Sequence, residues 1–141
     1  YPLSVIMGAL ALGAVATGML LGHWYLIDLG LSIEPLRRLH RFYMWVIGLQ
    51  VVTIALTIGV MALTTAGAAA ASMLLTDYQQ LLAMRMLLGP GAALAIGAMI
   101  GRTLAIPQTM AATGLFYIAI LAVIVGEMMG RLILFRPSLP L

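Results

Sequence analysis

Two groups of residues have the types and spacing to do chemistry. The first sits in the polar stretch from Gly22 to Tyr43, GHWYLIDLGLSIEPLRRLHRFY, which holds both histidines (His23, His40), three of the seven arginines (Arg37, Arg38, Arg41) and two of the four acids (Asp28, Glu34). If the flanking apolar runs are antiparallel helices, His23 and His40 come near the same end. Two imidazoles there could ligate a b-type haem, or one could hold a chlorophyll magnesium. A quinone headgroup needs less, one or two donors to its carbonyls beneath an apolar channel, and His23, His40, Tyr43 and Arg102 are the candidates. The plainer alternative is that the histidines bond headgroups, loop carbonyls or a partner chain. The second group is Glu127, Arg131 and Arg85. Glu127 and Arg131 are four apart, hence stacked on one helix face, and Arg85 enters the preceding helix at a similar depth. Such charges serve as an ion pair joining two helices or as a carboxylate in a proton path. No spacing typical of a metal site occurs.

The elements that position these residues follow from composition. The chain is 64% hydrophobic and 8% charged, with a mean hydropathy of +1.15, far from the roughly one-quarter charged of soluble domains. It is expected to be an integral membrane protein. Its 141 residues hold about four crossings of roughly 20 residues each, with no length left for a soluble catalytic domain. Every basic residue is arginine and the net charge is only +3, which argues against nucleic acid as a partner. The lack of cysteine removes disulfides, thiolate metal sites and iron–sulfur ligation.

The fold class expected is all-α, a single transmembrane domain (1–141) forming a four-helix bundle of two helical hairpins, with helices at about 3–26, 33–64, 77–105 and 107–134. The first apolar run is too long for a signal-peptide h-region and reads as a transmembrane helix. Trp24 and Tyr25, then Phe42, Tyr43 and Trp45, form an aromatic belt at one interface. Ser32 is the expected N-cap of the second helix, and Pro35 suits its first turn. Gln50 lies within that span and needs an interhelical partner. The small residues of 65–72, TAGAAAAS, read as a short interfacial coil. Thr76 or Asp77 caps the third helix, Gly89-Pro90-Gly91 kinks it, and Pro107 opens the fourth.

Small residues recur every four positions at Ala14, Gly18 and Gly22, at Ala93, Gly97 and Gly101, and at Ala122, Gly126 and Gly130, a spacing that lets helix backbones approach closely. GMLLGH (18–23) and GAMIGR (97–102) each end a helix on Gly-x-x-x-Gly and a basic residue, as an internal repeat of hairpins would, although abundant glycine and alanine would also produce this by chance. Arg37, Arg38, Arg41 and Arg102 lie toward one side and Arg85, Arg131 and Arg136 toward the other. The clustering in the first loop makes that side cytoplasmic, in a bacterial inner membrane, with both termini outside.

The stretch ATGLFYIAILAVIVGEMMGRLILF, Ala112 to Phe135, resembles a helix of the membrane anchor subunits of the dimethyl sulfoxide reductase and polysulfide reductase type. Their pattern Glu-x-x-Gly-Arg with a nearby aromatic stands here as Glu127, Gly130, Arg131 and Phe135. The resemblance covers one helix of four, and the chain has about half the length of such anchors. It implies a multi-helix protein that binds menaquinol and passes electrons to an iron–sulfur subunit.

The function expected is that of a small membrane subunit of a bacterial electron-transfer complex, respiratory or photosynthetic. It would not be catalytic alone; it would anchor larger redox subunits and line a quinone or haem site. The alternatives are a structural, lipid-binding accessory subunit and a small transporter or channel. The second of these is suggested by the kink, the repeat and the intramembrane charges.

Overall fold

The computed structural model describes residues 2–28 and 30–135, without the side chains of residues 65 and 66. Arg136 and the RPSLPL tail lie outside the described residues. The chain is all-α, with no strand among the described residues: α1 Pro2–Ile27, α2 Glu34–Leu63, α3 Thr65–Thr76, α4 Gln79–Met86, a π-helical turn Leu87–Gly91, α5 Ala92–Ala105 and α6 Thr109–Phe135. α1, α2, the continuous run Gln79–Ala105 and α6 have 26, 30, 27 and 27 residues and are apolar enough to cross a membrane. Their outer faces agree. Phe42, Trp45, Leu49, Val52, Leu56, Val60 and Leu63 make an exposed apolar stripe along α2, which water would not tolerate at this extent. The protein is a multi-pass membrane protein.

The four long helices stand in a ring. α1 packs on α2 and α6, α5 packs on the same two, and α2 and α6 face each other across the diagonal. The small residues set these distances. A Cβ on Gly18 would lie 2.5 Å from the Phe116 ring, and one on Gly22 would lie 2.5 Å from the Thr113 hydroxyl. These two glycines seat α1 on α6. At the diagonal, Tyr43 of α2 meets Phe116 of α6 edge to face, with centroids 6.1 Å apart, and both rings are fully buried.

Five local expectations are corrected. The stretch 65–72, expected as coil, is helix and belongs to α3. Alanine is the strongest helix former, and the Thr64 hydroxyl accepts the Gly67 N–H at 3.2 Å as a cap. α3 folds back along α2, so that Leu74 packs with Ile54 and Ile133. The N-cap of α2 is Ile33, without a side-chain cap bond, and Ser32 instead offers its carbonyl to the Tyr25 hydroxyl. Tyr78 caps α4 without a side-chain bond, in place of Thr76 or Asp77, and α6 begins at Thr109, with Pro107 in the preceding turn. Tyr25 and Tyr43 turn inward, at 4% and 0% exposure, and leave the belt to Trp24, Phe42 and Trp45. The kink falls where expected: Gly89 has φ −85° and ψ −107° beside Pro90.

Candidate functional site

Two of the charged candidates, Arg85 and Glu127, meet inside the bundle. Arg85, near the start of the third span, donates from Nη2 to Glu127 Oε1 at 2.9 Å. Gln50, close to the middle of α2, donates from Nε2 to the same oxygen at 2.5 Å, reaching across the diagonal. The side chains of Arg85 and Glu127 are 2% and 13% exposed. Glycines make the room. Glu127 Oε2 occupies the space that a Cβ on Gly8 of α1 would take, and a Cβ on Gly130 would lie 2.8 Å from Arg85 Nε. Gly89 and Gly126 bring their backbones together beside Arg85 Nη1. The kink is part of this arrangement, since the non-helical Gly89 lets the third span close on α6 at the arginine.

Desolvating a charge costs several kcal/mol, so charges inside a membrane bundle are found paired. Arg85 and Glu127 form the ion pair that links the third span to α6. Arg131 is exposed and stands one turn nearer the end of α6, where it lines a small cavity with Ser4, Val5, Arg85, Glu127, Gly130 and Leu134. Glu127 is also the interhelical partner that the position of Gln50 required.

The other four candidates are not brought to one place. His23 is exposed; Gly22 faces Thr113, and the next residue on a helix points about 100° away. His40 packs on Gly101 and its Nε2 lies 2.7 Å from the Gly97 carbonyl. A carbonyl only accepts, so Nε2 carries the proton. The buried Tyr43 hydroxyl donates to the Ala93 carbonyl at 2.7 Å, and Arg102 is exposed at the end of α5. A third bond joins the same two helices, from Arg37 Nη2 to the Leu104 carbonyl at 3.0 Å. Arg37, His40 and Tyr43, three residues apart, thus tie α2 to three carbonyls of α5.

Around His40 two surface grooves meet. One, of about 450 Å³, is lined by Glu34, Arg37, His40, Arg41, Gly101, Leu104 and Ala105. The other, of about 390 Å³, is lined by His40, Arg41, Met44, Trp45 and Gly48. His40 and Arg41 belong to both. Neither groove includes His23, Tyr43 or Arg102. Sequence reasoning missed Glu34, Met44 and Gly48; the signal was helical spacing on α2, with Glu34 three before Arg37, Met44 four after His40 and Gly48 four after Met44.

No protein-family model matches this chain, and neither a curated protein nor a solved structure matches it.

Proposed function

We propose that this chain is a small integral subunit of a bacterial membrane electron-transfer complex, respiratory or photosynthetic, and that its His40 groove lines a quinone site. The observation that carries the proposal is the union of a polar groove, with Arg37, His40 and Arg41, and an apolar one, with Met44, Trp45 and Gly48. A quinone has the same two parts, a headgroup with hydrogen-bond acceptors and an apolar tail. Arginine N–H groups supply donors, and the slot past Trp45 takes the tail. The resemblance of Ala112–Phe135 to quinol-oxidising anchors points the same way.

A bis-histidine haem does not fit. His40 Nε2 is held by the Gly97 carbonyl, His23 lies outside the groove, and the bundle centre beside Tyr43 is filled by Phe116. The chain therefore contributes a wall and an anchor, and larger redox subunits contribute the electron carriers. The arginine-rich first loop sits on the cytoplasmic side with both termini outside. A second reading, a structural subunit that binds lipid, is favoured by Arg37 and Arg41, which line the same groove and would receive an anionic headgroup there.

The test is Gly48→Phe. A Cβ added at Gly48 meets no protein atom within 4 Å and Gly48 lines the groove, so a larger side chain starts from open space and enters the slot. In the complex purified from its native membrane, bound quinone and quinone turnover are expected to fall together while assembly is unchanged. Normal quinone content and turnover in Gly48→Phe would overturn the proposal. A wild-type complex that retains phospholipid and no quinone would establish the second reading in its place.

A further inference from the structure

Arg85 is incompletely satisfied. Nη2 is held by Glu127, yet Nε and Nη1 are buried with no hydrogen-bond partner. An unpaired N–H of a charged group is among the costlier things to bury, and native structures rarely leave one without an acceptor. The Nε side faces Gly130, and Gly130 lines the cavity that Arg85 shares with Ser4, Glu127 and Arg131. That cavity measures about 20 Å³. A water needs roughly 10–15 Å³ and two to four polar partners, so the cavity is of the size of one water rather than a chain of them.

We propose that this cavity is a binding site for a single water molecule, which accepts from Arg85 Nε and extends the Gln50–Glu127–Arg85 network to the membrane face where Ser4 and Arg131 stand. The occupant must accept a hydrogen bond, which leaves water or a small anion. The groups around it decide between them. Arg85 on the third span is neutralised by Glu127 at 2.9 Å, and Glu127 itself lines the cavity and would repel an anion. From α1 come Ser4 and Val5, and from α6 Arg131, Gly130 and Leu134. Arg131 is exposed one turn from the end of α6, where a long side chain reaches the headgroups and its charge is screened. The water makes the polar path continuous from the ends of α1 and α6 to Gln50.

Water-edited solid-state NMR of the full chain in lipid bilayers tests this. Magnetisation starting on water should reach Arg85 Nε as early as it reaches Arg131 and well ahead of buried backbone amides. Ser4→Leu, which fills the cavity from α1, should delay Arg85 Nε to the rate of those amides, and Gly130→Ala should do the same from α6. A wild-type Arg85 Nε that lags with the buried amides would mean a dry cavity and would refute the proposal, whether or not either variant folds. A shift of the Arg85 Nε resonance on replacing chloride by bromide would identify the occupant as an anion and overturn it equally.

Discussion

Changing either member of the buried pair should cost far more than changing both. At 2.9 Å and an effective dielectric of about 20, the attraction between Arg85 and Glu127 is about 6 kcal/mol. Removing two ions from water costs several kcal/mol each, so the pair as a whole adds little net stability. Glu127→Gln keeps the shape and an oxygen for Gln50 but leaves a 2% exposed guanidinium without its counterion, at a cost of about 3–5 kcal/mol. Arg85→Met strands the carboxylate, with a similar cost of about 3–5 kcal/mol. The double variant has no buried charge and keeps an amide–amide bond to Gln50. It should lose only about 1–2 kcal/mol, the range of a neutral bond and imperfect packing. Reversible unfolding in mixed micelles, titrated with dodecyl sulfate and followed by circular dichroism, gives all four corners of the cycle. Losses that add to within about 0.5 kcal/mol would mean uncoupled sites and would refute the argument.

Gly18→Ala drives a methyl to 2.5 Å from the Phe116 ring and should destabilise by about 1–3 kcal/mol in the same titration. Gly13→Ala meets nothing within 4 Å and should change stability by less than about 1 kcal/mol. Tyr43→Phe removes the bond to the Ala93 carbonyl and should cost about 0.5–1.5 kcal/mol with helicity unchanged by circular dichroism. Glu34→Gln breaks contacts of 3.3 Å to Arg38 and Arg41, but the Glu34 side chain is 46% exposed. Its effect on the unfolding midpoint should correspond to less than about 1 kcal/mol.

The spans and their packing faces were legible in the sequence because both rest on local signals, apolar length and a four-residue spacing of small side chains. Of the nine small residues in the three stripes, Ala14, Gly18, Gly22, Ala93, Gly97, Gly126 and Gly130 are buried, while Gly101 and Ala122 are half-buried. Burial of the Glu127 charge was legible as well, since an intramembrane carboxylate requires a cation. What periodicity does not convey is which face meets which neighbour. His23 adjoins Gly22, and the packing of Gly22 on Thr113 turns the imidazole out of the bundle. Gln50 and Glu127 are 77 residues apart on helices that do not touch through their backbones, so no local pattern joins them. The 65–76 helix was missed for another reason. Alanine-rich sequence reads as a weakly polar linker when judged by size, and as a helix when judged by propensity.

The Gln50–Glu127–Arg85 network also bears on how the protein is made. A ribosome releases α2 and then the Arg85 span before α6 exists. Until Glu127 emerges, the third span carries an arginine without its counterion, which costs about 2.5–3.5 kcal/mol at the centre of a spanning helix. Arg85 lies near the beginning of its span, where snorkelling reduces that cost, but its final place beneath Gly126 and Gly130 forbids snorkelling once the bundle closes. The third and fourth spans are therefore expected to complete their insertion as a pair, with arrival of the last helix locking the other three.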